Sequence, residues 1–377
     1  MFSEVAAVPL CIWSYLLWGR GGFWRVADKL GPDAKGVAPP KRVVAVIPAR
    51  NEAPVIAETL ASLLEQDISI VLVDDNSTDD TAKIARAAAR QAGCEERLTI
   101  VSGKSLEAGW TGKLWALQQG VEQAGRLGPD YLLLTDADIV HSSSSVAELT
   151  GIAEEGGFDL VSYMVKLRCE SVAEKALIPA FVFFFLMLYP PAWIASSQSD
   201  TAGAAGGCVL IRPQALQAAG GFEAIRNTVI DDCALARIVK RSGGRLWLGL
   251  TRTTFSNRSY RSFGEIGRMI SRTAFQQLDH SILLLIGTIA GLIATYLLPL
   301  ALIFSGSLLA ALEGSAAWLL MTAAYAPMVR FYGRSRLWAC ALPLIACFYL
   351  GATLFSATQF WRGKGGEWKG RAQDRRV

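Results

Sequence analysis

Four short stretches constrain this chain more than anything else in it: Val46-Ile-Pro-Ala-Arg-Asn-Glu52, Val73-Asp-Asp-Asn-Ser-Thr-Asp79, Thr135-Asp-Ala-Asp138 and Ile230-Asp-Asp-Cys-Ala-Leu235. Each puts carboxylates or amides where an apolar run stops. In an open α/β sheet that is the carboxyl end of a strand, the edge where ligands bind. The intervening residues support such a sheet. Arg42 to Pro48 reads as a β-branched strand, Ala53 to Gln66 as a helix with Val55, Ile56, Leu60, Leu63 and Leu64 at helical spacing, and Ser69 to Val73 as the next strand. A helix from Asp79 to Ala92, capped by Ser77 or Thr78, follows. Strand Leu98 to Val101, helix Leu114 to Ala124 and strand Tyr131 to Leu134 continue the alternation, and Thr228 to Ile230 is strand-like ahead of a helical run from Cys233 to Lys240. This alternation predicts an α/β domain over 42–280, a mostly parallel sheet flanked by helices.

Around that domain the chain is written for lipid. Its 377 residues are 52% hydrophobic with positive mean hydropathy, high for a protein wholly in water. Val5 to Gly19 carries no charge and is followed by Arg20, Arg25 and Lys29. Glu4 before it and Trp18-Gly-Arg after it do not suit a cleaved signal peptide, so 1–20 is expected to be an uncleaved anchor, short for a full span. A Gly/Pro-rich linker, 21–41, leads to the domain, and the basic flank places that domain in the cytoplasm. Ser281 to Leu312, Gly314 to Val329 and Leu337 to Trp361 are uncharged, the first two broken only by Glu313, which predicts transmembrane helices over 281–361. Three crossings would carry the basic tail, 362–377, outside. A cytoplasmic tail is the expectation, with one segment re-entrant or interfacial. Inside the domain, 176–199 is uncharged too, but Pro179, Pro190 and Pro191 argue against one straight span and for a helix lying on the bilayer, with a buried core segment as the alternative.

Several chemistries are excluded early. Seven cysteines form no C-x-x-C pair and accompany no histidine cluster, so neither a zinc site nor a disulfide framework is indicated. With His141 and His280 the whole histidine complement, histidine catalysis is not expected; His141 is either a loop residue or a neighbour of a metal held by Asp136 and Asp138. A net charge of +4 with a basic tail suits an anionic lipid surface, and no nucleic-acid module is present.

What remains is carboxylate chemistry. Arg50, Asn51 and Glu52 after the first strand could face a nucleotide or merely close a turn. Asp74 and Asp75 end the next strand, where a carboxylate can accept hydrogen bonds from a base or ribose. Asp136 and Asp138, one residue apart at a strand end, can meet a divalent ion; hard oxygen ligands suit Mg²⁺ or Mn²⁺, which keep positions for water and phosphate. Such an ion would neutralise a departing nucleoside diphosphate. Asp231 and Asp232 open a helix either as favourable first-turn acids or with one as a general base for an acceptor hydroxyl. Lys113, just inside a helix after Gly112, could meet phosphate at the helix N-terminus. Gly206 and Gly207, in Gly203-Ala-Ala-Gly-Gly207, could form a floor under a sugar or a plain turn. Arg268 and Arg272 share a helix face, fit to hold a diphosphate or to mark the membrane boundary. Together these describe a metal-dependent nucleotide-sugar site at a membrane surface.

As an ordered set the motifs resemble family 2 glycosyltransferases of GT-A fold, over roughly 42–275. The chain is most similar to the hopene-associated glycosyltransferases of hopanoid-producing bacteria, more distantly to ceramide glucosyltransferase-like enzymes, and its Trp368-Lys-Gly-Arg371 is similar to a basic tryptophan motif in relatives. The resemblance implies that Pro48, Ala49, Arg50 and Glu52 line the nucleotide pocket, Asp75 contacts base or ribose, Asp136 faces ribose and diphosphate, Asp138 binds the metal and Asp232 is the base, with Asp231 in place of the usual glutamate. Processive relatives carry Gln/Arg-x-x-Arg-Trp; here Met269-Ile-Ser-Arg272-Thr273 keeps the arginine alone, which favours transfer of one sugar. The expected protein is a multi-pass enzyme of the bacterial cytoplasmic membrane that moves a sugar, with inversion, from a nucleotide donor such as a UDP-sugar to a lipid hydroxyl. A polyprenyl-phosphate sugar synthase and a degenerate membrane scaffold are the alternatives.

Overall fold

The computed structural model describes residues 2–26, 41–363, 367–368 and 371–372. Most of the 21–41 linker and of the 362–377 tail, including Lys29, Lys364 and Lys369, lies outside the described residues, and the tryptophan motif is described only in part.

Strands β1 (Val43–Ala49), β2 (Ser69–Asp74), β3 (Leu98–Ser102), β4 (Tyr131–Thr135), β5 (Ile139–Val140), β6 (Leu160–Lys166), β7 (Cys208–Ile211) and β8 (Leu246–Ser256) form a sheet in the order β3-β2-β1-β4-β7-β6-β8-β5. β1 pairs in parallel with β2 and β4, β2 with β3, and β6 with β8. β7 alone among the central strands runs against both neighbours, β4 and β6. Every residue of β1 and β4 is buried, as a strand covered on both faces requires. Apolar side chains fill both sides: Val44, Val46, Val71 and Val73 meet one helix layer, while Ala45, Ile47, Ile70 and Leu72 meet the other. The reversal at β7 matters for position. Cys208 pairs with Thr135, so the Gly206-Gly207 turn before β7 lies beside the Asp136–Asp138 segment after β4.

The loops after β1 and β2 are pinned to each other. Asn51 and Asn76 both adopt left-handed backbone, φ 53° and 52°, which asparagine tolerates better than most residues. Asn51 Oδ1 accepts from Thr78 N–H at 2.8 Å, and Asn51 N–H donates to Ser77 Oγ at 3.0 Å. Those contacts explain why Ser77 and Thr78 do not cap the following helix. It begins two residues later than expected, at Thr81, whose N–H donates to Asp79 Oδ1. Thr228–Ile230 is not a strand either: Thr228 N–H closes a turn on Ile225 O, and the segment leads into helix Asp231–Arg241 without pairing.

Among the described residues four helices are long and apolar enough to cross a membrane: Val172–Ala195, Ile282–Ile303, Leu308–Phe331 and Arg336–Trp361. Leu283, 81% exposed, illustrates how apolar their outer surface is. The break between the second and third falls at 304–307, where Gly306 takes φ 77° and Ser307 caps the next helix, rather than at Glu313, which lies inside that helix. The first is a helix to Leu188 and, after Pro190, a short helix from Pro191 to Ala195; Pro179 sits inside its regular part. The N-terminal helix Phe2–Trp18 has 17 residues, about 26 Å, against the roughly 30 Å of a hydrocarbon core. It packs on the bundle. Trp13 Nε1 donates to Thr295 O at 2.8 Å, satisfying a carbonyl in the π turn at Ile293–Leu297.

Helix Gly112–Gly125 approaches the sheet closely at Gly120, where an added Cβ would lie 2.4 Å from Val46 Cγ1 and 3.0 Å from Val73 Cγ2. Gly120→Ala is expected to destabilise the domain by about 1–3 kcal/mol through overpacking. A lower Tm that recovers in Gly120→Ala/Val46→Ala would confirm the cause; an unchanged Tm would refute it.

Candidate active site

The strand ends converge on a cavity of about 550 Å³. Pro48, Glu52, Lys113, Asp136, Asp138, Gly206, Gly207, Asp231, Asp232 and Arg272 all line it. Ala49, Arg50 and Asp75 do not. Ala49 is buried within β1, and Arg50 turns sideways, its Nη1 donating to Asp75 O and Asn76 O and lying 3.8 Å from Asp75 Oδ2. This pair braces the loops after β1 and β2 beside the cavity.

Six carboxylates line the cavity, and Lys113 and Arg258 pair directly with Asp136, Asp231, Asp138 and Glu52. Lys113 Nζ lies 3.0 Å from Asp136 Oδ1 and 3.1 Å from Asp231 Oδ2. Burial opposes the ammonium charge, yet Asp136, Asp231 and Asp232 outweigh it and raise the Lys113 pKa. The Asp136 carboxyl is held above its usual range by burial first, Lys113 opposing, with Asp138 and Asp231 adding repulsion. On the other side Arg258 Nε donates to Asp138 Oδ2 and Nη2 to Glu52 Oε1, both at 2.9 Å. Ser256 Oγ donates to the same Asp138 oxygen at 2.8 Å.

Asp232 is built differently. Its Oδ2 accepts from Gly206 N–H at 2.8 Å and its Oδ1 from Cys233 N–H at 2.7 Å, which fixes the carboxylate plane. Burial, then Asp231, push its pKa up to about 6 despite Lys113. The N-cap residue, Ile230, offers no side-chain cap, so Asp232 also serves the first helical turn by taking the Cys233 N–H. A side chain at 206 would meet Asp232 Oδ2 at 3.2 Å, so the glycine is what lets the backbone reach this carboxylate.

His141 is a loop residue, between β5 and the helix Ser145–Gly156, and does not line the cavity. It is 3% exposed, its Nε2 lies 3.0 Å from Thr135 Oγ1 and its Nδ1 3.3 Å from Ser145 Oγ, and burial lowers its pKa to about 4. It is a neutral core histidine.

Sequence reasoning missed Ser256, the last residue of β8, and Arg258 and Tyr260 on the loop after it. The signal was present, since an apolar run from Leu246 to Leu250 precedes polar residues there as at the other strand ends. It also missed the apolar wall: Phe181, Phe185, Met164, Leu167 and Met269 line the same cavity, with Arg268 and Arg272 at its rim.

For a divalent ion, no three His, Cys, Asp or Glu side chains among the described residues converge into a protein-only site. The donor set nevertheless fits Mg²⁺ or Mn²⁺, which are commonly held by one or two carboxylates plus substrate phosphate. Asp136 and Asp138 would be those carboxylates.

Residues 44–220 match the family model for glycosyl transferase family 2. This segment is a family 2 glycosyltransferase domain. Its relatives include the undecaprenyl-phosphate 4-deoxy-4-formamido-L-arabinose transferase of Serratia proteamaculans, 32% identical over 150 residues, 37% of this chain and 42% of the relative. The 4,4'-diaponeurosporenoate glycosyltransferase of Staphylococcus aureus is 31% identical over 110 residues, 29% and 27% of the two chains. The matched parts are thus under half the length of these relatives. Among solved structures, a mannosyltransferase from Pyrobaculum calidifontis in complex with GDP-Man and Mn²⁺ superposes with TM-score 0.54 at 18% identity, over 94% of this chain and 99% of that one. The glycosyltransferase domain therefore has the GT-A fold.

Lys113→Met is expected to cost about 1–3 kcal/mol of stability, a range discounted for the partly exposed Asp136, because two facing carboxylates lose their counter-ion. Thermal melts would show it, and Lys113→Met/Asp231→Asn should regain part of the loss. A double variant no better than the single would refute the pairing.

Proposed function

We propose that the protein is a membrane-bound, inverting glycosyltransferase that moves one sugar from a nucleoside-diphosphate sugar, a UDP-sugar by preference, to a lipid acceptor at the cytoplasmic face of the bacterial inner membrane. One observation carries this reading: the cavity that holds Asp136, Asp138 and Asp232 continues without a break onto Phe181, Phe185 and Met269. Carboxylates for a nucleotide sugar and an apolar wall for a lipid share one space. The relatives named for undecaprenyl-phosphate and 4,4'-diaponeurosporenoate support a lipid acceptor, and the exposed apolar helices support a membrane.

A donor in this cavity would place its diphosphate between Lys113 and Arg258. The rim arginines, Arg268 and Arg272, could reach the same group. Mg²⁺ or Mn²⁺, held by Asp138 with Asp136, would neutralise charge on the leaving diphosphate. Asp232 faces the cavity with both oxygens already oriented by backbone N–H groups, leaving lone-pair directions for an acceptor proton. Removing that proton as the oxygen attacks the anomeric carbon, opposite the departing diphosphate, gives single displacement with inversion. A base is needed for a hydroxyl acceptor, which is why a lipid alcohol, hopanoids included, is the first choice. The rim arginines and the undecaprenyl-phosphate relatives favour a second reading, a lipid phosphate as acceptor, for which proton removal matters less.

Purified wild type and Asp232→Asn, given nucleotide sugars, Mn²⁺ and separate lipid alcohols, hopanoids and polyprenyl phosphates, would be followed by lipid mass spectrometry. One sugar added to an alcohol by wild type, with the rate lowered about 10²–10⁴-fold in Asp232→Asn, is the expected result. Sugar added to polyprenyl phosphate alone would establish the second reading. No transfer to any acceptor would favour a scaffold. Since Asp232 works deprotonated, the wild-type rate should fall as pH drops through about 6; a flat acid limb would remove Asp232 from the role of base.

A further inference from the structure

We propose that Arg258 is a resident cation that exchanges Asp138 for the donor's diphosphate, so that divalent ion and nucleotide load together. This rests on the metal and nucleotide-sugar reading above. Arg258 Nε and Ser256 Oγ both donate to Asp138 Oδ2, and Arg258 Nη2 takes Glu52 Oε1. A cation that coordinates that oxygen must displace the guanidinium. The released fork would then face a cavity that already holds Lys113, Arg268 and Arg272, cations that oppose a further unmatched positive charge. A diphosphate supplies the partner, since guanidinium binds its oxygens in bidentate fashion.

The backbone around Arg258 is held so that the side chain alone has to turn. Asn257 N–H donates to Asp138 O at 3.0 Å, and Asn257 Nδ2 donates to Glu58 Oε2 at 2.8 Å. Two residues on, Tyr260 N–H donates to Glu174 Oε1 at 2.6 Å, and Tyr260 O accepts from Ser171 Oγ at 2.7 Å. The Arg258 side chain, 34% exposed, borders open cavity and has room to turn. Each ligand thereby removes an obstacle to the other: the ion frees the arginine for phosphate, and phosphate keeps the arginine off Asp138. Such coupling is reciprocal.

The test is Mn²⁺ binding to the purified full chain in detergent, read by the electron paramagnetic resonance signal of free Mn²⁺, with and without UDP or GDP and corrected for Mn²⁺ bound to nucleotide in solution. Wild type is expected to bind Mn²⁺ at least about ten-fold more tightly with nucleotide than without. Arg258→Gln should bind Mn²⁺ alone about ten-fold more tightly than wild type and lose most of the nucleotide-dependent gain. Arg258→Lys, charged but unable to bridge both carboxylates, should lie between them and serves if the glutamine variant does not fold. Asp138→Asn should abolish Mn²⁺ binding throughout. Equal Mn²⁺ affinity of wild type and both Arg258 variants without nucleotide would overturn the exchange while leaving the site intact. Failure of wild type to bind Mn²⁺ under any condition would overturn the metal reading and the exchange with it.

Discussion

The rest of the site depends on how Glu52, Asp136, Asp138, Asp231 and Asp232 are kept together in a partly buried cavity. Like charges at such spacing repel strongly where water is scarce, and the chain answers with two internal cations on opposite sides. Lys113 bridges Asp136 and Asp231; Arg258 bridges Asp138 and Glu52. The cations come from different parts of the chain, one from the first turn of a helix and the other from the loop after β8. The acidic groups they hold come from the ends of β1 and β4 and from the start of helix Asp231–Arg241. Charge balance is thus also what ties the two halves of the sheet together at their ligand edge.

The reversed strand β7 supplies the other constraint. Had it run parallel to β4, its leading turn would lie at the far edge of the sheet. Running antiparallel, it delivers Gly206 to Asp232 and sets a backbone N–H against a carboxylate that burial would otherwise protonate more readily. The glycine matters for what it omits, since a Cβ there would press on the carboxylate it serves.

Much of this was legible from residue order. The apolar runs ending at Pro48, Val73 and Leu134 are strands because each is buried on both faces, a condition that shows in sequence as unbroken β-branched or leucine stretches. Most of the residues singled out at those ends reach the cavity. Arg50 and Asp75 do not, because a strand end has two sides and a one-dimensional pattern cannot say which loop atoms brace and which face inward. Thr228–Ile230 misled for a related reason: three β-prone residues make no strand without a partner edge. Glu313 looked like a break because a charge interrupts an apolar run, but a glycine that can adopt left-handed backbone ends a helix more effectively. Arg258 escaped notice since its meaning lies wholly in two carboxylates, Glu52 and Asp138, more than a hundred residues away.

The capping box at the start of helix Val172–Leu188 has a wider reach than helix initiation. Ser171 Oγ accepts from Glu174 N–H, and Glu174 Oε2 accepts from Ser171 N–H, the reciprocal pair expected of such a box. The same two side chains grip Tyr260 by its backbone N–H and carbonyl. The apolar helix and the arginine-bearing loop are consequently one mechanical piece. Were that helix to rest on a bilayer, its depth there and the set of the loop over the cavity would become a single coordinate, and the membrane itself would become part of the scaffold that aligns the chemistry.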